Sequence, residues 1–294
     1  MTAGRITGID HTLVGVRDLE EARMAWTRLG FALSPRGRHV GWGTANYCVM
    51  FPHDYIELLG IVDPAQFTNN LDRILAEREG LIGVAFASED AAAAAAVLAA
   101  RGLHPGEPRD LARQLELPEG TVLPRFKLTH LPPEETPGLS AFVVQHLTPE
   151  LLRRRPWLDH ANGAVGLVSM TVVVENTRPL ADAYERLFGA ASTVPTDDVL
   201  TVHIGRRHRL VFADADDFSA LYHDFGVDLD GVKLPYPASM TIAVSDLDKT
   251  ADHLASWQVD HESFGGVAIL VPPEEANGVL LQFVAGAAAG QGIR

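Results

Sequence analysis

The chain has 294 residues, 47% of them hydrophobic and 21% charged, which fits two globular domains better than one small core or a disordered chain. A formal net charge of −14 argues against nucleic acid or another polyanion as a partner. No apolar run reaches the roughly 18 residues of a membrane span, MTAGRITGID lacks the apolar core of a secretory signal, and the one cysteine, Cys48, leaves no internal disulfide framework or cysteine zinc cage. A cytoplasmic protein is the expectation.

The first ordered stretch runs from Ile9 to Val62. IDHTLVGV reads as a strand, and LEEARMAWTRLG as a helix with Asp18 as its N-cap, acids in its first turn and Gly30 as its stop. NYCVMF and YIELLGI follow as apolar strands. Ala65 to Glu79 reads as a helical connector. The order then repeats. GLIGVAFASEDAAAAAAVLAARGL (80–103) is a second strand and helix, its alanine run a strong helix former. FKLTHL and SAFVVQHL are its later strands. A polar, proline-containing segment, TPELLRRRPWLDHANGA, comes next and sets a domain boundary near residue 160, giving domains 1–160 and 161–294.

Beyond it, Met170 to Gly189 (MTVVVENTRPLADAYERLFG) aligns without gaps on His11 to Gly30. VLTVHI and HRLVFA are its strands, and Asp216 to Gly226 is a second helical connector. The fourth copy is ASMTIAVSDLDKTADHLASWQV (238–259), followed by GVAILV and GVLLQFVA. Each copy is thus one strand, one helix and three strands, and the fold class is α+β, with four βαβββ modules paired into two domains. Such a module covers one face of its sheet with helices, so two modules curve around a cleft.

Two residues are out of character for apolar strands. His11 lies in the first strand and Glu57 in the last strand of module one. Strand alternation puts His11 with Leu13 on one face, and Glu57 with Tyr55 and Leu59 on one face, so both can point into the same cleft. His39 and Asn46 flank GWGTA, whose glycines let backbone bend or approach a ligand. Together with Trp42 they are candidates to line the cleft; a twisted, bulged strand explains them as well. Cys48 reads as a small buried filler, Arg153 to Arg155 as a solvated or salt-bridged linker, and His203 and His208 as surface residues around a turn. There is no G-x-S-x-G elbow, no phosphate-binding glycine loop with Lys-Ser/Thr, and no HExxH helix.

Paired strand–helix–three-strand modules, with His in IDHTLVGV and Glu in YIELLG, resemble the vicinal oxygen chelate superfamily. That group includes glyoxalase I, methylmalonyl-CoA epimerase, extradiol dioxygenases and the bleomycin- and fosfomycin-resistance proteins. GRHVGWGTANYCVMF is similar more narrowly to the glyoxalase-like proteins. The resemblance implies a metal site in the N-terminal domain made by His11, Glu57 and Gln145, with Gly83 at a fourth position that offers no ligand. His146, next to Gln145, should then face away from that site. The corresponding C-terminal residues are Met170, Val211, Ser239 and Gln282, which make that domain a degenerate copy.

A neutral imidazole, a carboxylate and an amide suit Zn, Mn, Fe, Co or Ni. The metal would polarise a small oxygen-rich substrate, with Glu57 also catalytic, in a lyase, isomerase or dioxygenase reaction. A metal-free cleft that binds or sequesters a small molecule, as in the bleomycin-resistance relatives, is the alternative. A purely structural His11–Glu57 pair stands beside both. A cleft-sharing homodimer and a monomer are equally open.

Overall fold

A computed structural model describes residues 4–222, 227 and 229–286. Module one comprises β1 (Ile6–Gly15), α1 (Leu19–Arg28), β2 (Gly37–His39), β3 (Thr44–Met50) and β4 (Tyr55–Ile61), and α2 (Leu71–Glu77) connects it onward. Module two comprises β5 (Gly80–Ser88), α3 (Ala91–Ala100), β6 (Arg109–Leu117), β7 (Gly120–Val122), β8 (Arg125–His130) and β9 (Ala141–His146). A linker with the short α4 (Arg155–Leu158) leads to module three: β10 (Ala164–Val173), α5 (Ala181–Phe188), β11 (Thr193–Thr196), β12 (Val199–Ile204), β13 (His208–Ala213) and α6 (Ala215–Tyr222). The second connector was expected to reach Gly226; residues 223–226 lie outside the described residues. Module four comprises β14 (Tyr236–Val244), α7 (Leu247–Ser256), β15 (Glu262–Phe264), β16 (Ala268–Val271) and β17 (Leu280–Ala285).

Helix starts follow local chemistry. Asp18 accepts from the Glu20 and Glu21 amides, Asp90 from Ala93, and Asp246 from Asp248 and Lys249. Gly30 and Gly189 take positive φ, 94° and 105°, just past α1 and α5. Helix α1 packs on β3 and β4 and buries Leu19, Ala22 and Trp26, Leu19 alone stabilising by roughly 1.5–3 kcal/mol.

The strands form two sheets. The first has the order β2-β3-β4-β1-β5-β9-β8-β6-β7, and a further β2–β6 pairing closes it into a barrel. The second has the order β11-β12-β13-β10-β14-β17-β16-β15. Their wiring is the same: β1 pairs with β4 in parallel and with β5 antiparallel, as β10 does with β13 and β14. The parallel pairs β5–β9 and β14–β17 complete the correspondence. Four strand–helix–strands modules are therefore present, two to each sheet, three of them βαβββ and module two carrying the extra short strand β7.

Strand β6 is absent from the sequence expectation. RDLARQLEL carries four charges and does not read as an apolar strand, yet Leu111, Arg113, Leu115 and Leu117 alternate in phase, and Arg113, Leu115 and Leu117 are buried. It closes the barrel and brings an arginine inside.

The two sheets meet back to back. Thr12 of β1 donates to the Met240 sulfur of β14 at 3.0 Å. Beside that contact, Asp54 accepts from the Leu167 amide at 2.8 Å and bonds His208 Nε2 at 3.1 Å, while His208 Nδ1 accepts from the Ile9 amide at 3.1 Å. His208 is thus buried between the domains rather than on the surface, because the turn before it docks against β1; His203 is exposed as expected. Gly8 makes the approach possible, since a Cβ there would lie 2.5 Å from His208 Nδ1. The linker is strapped as well. His160 accepts from the Ala32 amide and bonds the Met50 carbonyl, both at 3.0 Å, and Arg153 donates to the Phe51 carbonyl at 2.7 Å.

Replacing Asp54 by alanine leaves the Leu167 amide and the His208 ring buried without their acceptor. It should lower unfolding free energy by about 2–4 kcal/mol in a denaturant titration. A change below about 0.5 kcal/mol would show that the interdomain bridge contributes nothing.

Candidate functional site

The barrel encloses a cavity of about 320 Å³. Its walls are the inward faces of the central strands, with Leu13, Leu59, Leu128 and Phe142 among them. Residues 68–71 and Ile74, from the turn before α2 and from α2 itself, roof it. Trp42 lines it and stacks edge-on against exposed Phe67, ring centroids 5.0 Å apart.

The polar wall is built from β1 outward. A bulge in the β1–β5 ladder puts Ile9 opposite Phe86 and His11 opposite Ala85, so Asp10 is the extra residue. The bulge brings Asp10 beside His11 instead of on the opposite face. Asp10 Oδ1 lies 2.7 Å from His11 Nδ1 and 3.0 Å from His146 Nε2. Burial alone would raise the Asp10 carboxyl, but His146 and His11 outweigh it and hold the group far below the usual carboxylate range. An ionised Asp10 only accepts, so both histidines donate to it, and His11 keeps Nε2 as its free nitrogen. The His11 ring stacks on Tyr55 at 4.3 Å and is 3% exposed.

His11 Nε2 lies 3.4 Å from Glu57 Oε2. Asn46 Nδ2 donates to Glu57 Oε1, and His39 Nε2 lies 3.6 Å from that oxygen while its Nδ1 bonds the Thr44 hydroxyl at 2.8 Å. Burial raises the Glu57 carboxyl, and His11, His39 and Arg113 more than reverse this, leaving it below its ordinary value. His39 itself is pushed down by burial, an effect that Glu57 opposes only in part.

Arg113, 2% exposed, completes the wall. Its Nη1 donates to the Cys48 sulfur at 3.1 Å, and its guanidinium lies 5.6 Å from the centre of the Phe126 ring. Burial pushes the Cys48 thiol up to about 11, so it stays protonated and unreactive as a small buried side chain.

His11, Glu57, His39, Trp42 and Asn46 are thus brought together; the first four line the cavity, and Asn46 holds Glu57 from behind. Gln145 is not brought there. It faces the helix layer, where its side-chain oxygen accepts from the Ala91 amide at the start of α3, at 3.2 Å. Register gives the reason. Thr12 and Val84 face each other at the local two-fold between β1 and β5, so His11 corresponds to Gly83 and Leu13 to Ala85. The parallel partner of Leu13 is Glu57, and that of Ala85 is Phe142. Phe142, three residues before Gln145, therefore holds the fourth position, and His146, on the same face, points inward. The same register makes Ser169, not Met170, the counterpart of His11 in the second domain, beside Val211, Ser239 and Gln282.

The residues present do not fit the divalent ion implied by the superfamily. Of its four positions, Phe142 has no donor atom, and Gly83 has no room for a side chain, since a Cβ there would lie 2.7 Å from the Ser140 carbonyl oxygen. Among the described residues no three His, Cys, Asp or Glu side chains are arranged to hold a metal ion. The nearest set, His11, His39 and Glu57, has Glu57 already bonded by Asn46 and sits in the field of the Arg113 cation.

Asp10, Arg113, Tyr55 and His146 were not read from the sequence as site residues. Arg113 had a signal: it occupies the buried phase of an alternating strand. Asp10 had none, because alternation places it away from His11 and only the bulge reverses that.

A family model described as "Glyoxalase-like domain" matches residues 9–188. The chain belongs to that family, and with its paired modules to the vicinal oxygen chelate superfamily. No curated protein matches the sequence. Among solved structures it is similar to a hypothetical protein from Staphylococcus aureus, with 12% identity and TM-score 0.68 over 95% of this chain and 99% of that one. It is also similar to a variant of 4-hydroxymandelate synthase from Streptomyces coelicolor, with 12% identity and TM-score 0.58 over 98% and 95%. A third is a xylose isomerase-like TIM barrel/4-hydroxyphenylpyruvate dioxygenase fusion protein, with 14% identity and TM-score 0.54 over 99% of this chain and 50% of that one. At these identities the likeness is one of fold.

His39 predicts a pH dependence. Its folded pKa is lowered below the ordinary 6.5, so the unfolded chain takes up its proton first as pH falls. The full stability is present above pH 6.5 and is lost as pH drops through and below that value. Buried His160, also lowered, adds to the loss, and Asp10 and Glu57 extend it in the acid range below their ordinary 3.8 and 4.5. Melting temperature should therefore fall between about pH 8 and pH 5.5, less steeply in His39→Gln. Equal melting temperatures at the two pH values would contradict this.

Proposed function

We propose that the N-terminal cavity is a proton-transfer site for a small oxygen-bearing molecule, in a lyase or isomerase reaction. The observation that supports it best is the line Asp10–His11–Glu57 opening onto the cavity beside the apolar side chains Leu13, Leu59, Leu128 and Phe142. Asp10 fixes the His11 tautomer and steadies the imidazolium. His11 Nε2, 3.4 Å from the Glu57 carboxylate, can take a proton from a ligand atom in the cavity and return it, with Glu57 steadying the imidazolium that forms. Asn46 and His39 hold Glu57 in place for this exchange. Apolar walls exclude water and strengthen these interactions.

The second reading is a protein that binds or sequesters the same molecule without changing it. The mostly apolar lining supports that reading, because such a cavity holds a ligand whether or not chemistry follows. The activity in the name of 4-hydroxymandelate synthase carries no weight here, since that likeness concerns the fold.

The test is deuterium exchange. Small carbonyl compounds are pooled in D₂O with the protein, and loss of the proton next to the carbonyl is followed by NMR. Exchange of at least one compound is expected, falling about 100-fold or more in His11→Gln while binding persists. Saturable binding with no exchange would favour the sequestering reading. Exchange that survives unchanged in His11→Gln would contradict the role given to His11.

A further inference from the structure

We propose that Arg113 is the anion-binding group of this cavity and that the ligand is a small organic acid gripped through its carboxylate; this rests on reading the cavity as a ligand site. The argument begins with what Arg113 lacks. A buried guanidinium is costly unless its charge is paired and its donors are satisfied. Here Nη1 bonds only the Cys48 sulfur, a weak acceptor on a neutral thiol. Nε and Nη2 are buried and have no hydrogen-bond partner among the described residues.

These two donors are the adjacent pair on one edge of the guanidinium. A carboxylate matches that edge with two parallel hydrogen bonds, a match of shape as well as charge. Among the described residues no carboxylate takes this place. Glu57 is bonded by Asn46 and flanked by His11 and His39, and Asp10 is bonded by His11 and His146. Burial works against the Arg113 cation, but the nearby Glu57 carboxylate opposes this, and a guanidinium stays charged throughout the working pH range.

The surroundings keep the fork in position. β6 delivers Arg113 at an inward place of an alternating strand, with Leu111 and Leu115 on either side. The Phe126 ring lies under the guanidinium. Gly37, on the neighbouring β2, leaves the space that the side chain needs: a Cβ there would come within 3.1 Å of Arg113 Cδ and 2.3 Å of Asn46 Oδ1. Arg113 lines the same cavity as His11 and Glu57, so a ligand held by its carboxylate extends its body along Leu111, Leu128, Phe142 and Val144. The cavity is at the small end of ligand pockets, which suits a compact acid with an apolar body.

The test compares acids with their uncharged amides: phenylacetate with phenylacetamide, and hexanoate with hexanamide. Dissociation constants are measured by ligand-observed NMR on the full chain, on Arg113→Met and on Arg113→Lys. Wild type should bind at least one acid about 10-fold or more tightly than its amide. Arg113→Met should bring acid and amide within about 2-fold of each other, and Arg113→Lys should keep part of the preference. Should Arg113→Met fail to fold, Arg113→Lys carries the comparison through a reduced preference. Acid and amide binding wild type equally, or a preference undiminished in the variants, overturns the clamp while leaving the pocket standing. Binding of neither member of either pair overturns the reading of the cavity as a ligand site, and the clamp with it.

Discussion

A buried charge must find a counter-charge or a hydrogen bond, and the interior of the N-terminal barrel is arranged around that requirement. Asp10, Glu57 and Arg113 are each nearly without solvent contact. Asp10 is met by two histidines, and Glu57 by two histidines and an amide. Arg113 is met by a thiol and an aromatic face, which leaves Nε and Nη2 buried and unpaired among the described residues. Two charges are thus met by ionisable partners, while two donors of the third have no hydrogen-bond partner among the described residues. The bulge at Asp10 is the device behind this order. Without the extra residue in β1, Asp10 would turn to the opposite face of the strand with Thr12, and His11 would lose the acceptor that fixes its tautomer.

The second domain shows the same frame without the charges. Ser169, Val211, Ser239 and Gln282 stand where the first domain has His11, Glu57, Gly83 and Phe142, and Gln282 is bonded by Thr241 at 2.9 Å. Its contribution to the site is indirect. The Asp54–His208 bridge and the Thr12–Met240 contact brace the back of β1, the strand that carries the bulge. The second domain thereby supports the strand that carries Asp10 and His11.

Much of this was legible in the sequence because it rests on periodicity and local chemistry. The repeat, the capping Asp18, the helical alanine run and the shared face of His11 and Glu57 all follow from spacing. What was not legible depends on register. Gln145 looked like the fourth ligand because it lies in the right strand, but pairing of β5 with β9 puts Phe142 there instead. Met170 aligned with His11 without a gap, yet the ladder shifts the correspondence to Ser169. Arg113 was hidden in a strand whose charges masked its alternation. His208 looked like a turn residue on the surface and is buried only because another domain covers it. No single-chain pattern encodes what a distant strand will cover.

In the proposed reading His11 as proton carrier and Arg113 as anion clamp, rather than a divalent ion, define the chemistry of this cavity. Metal binding tests it most directly. Protein purified without a tag would be incubated with Zn, Mn, Fe(II), Co or Ni, dialysed, and assayed for bound metal beside His11→Ala and Glu57→Ala. Less than about one-tenth of an ion per chain, unchanged in the variants, is the expected result. About one ion per chain in the wild type, lost in both variants while they remain folded, would contradict it and make the site a metal centre.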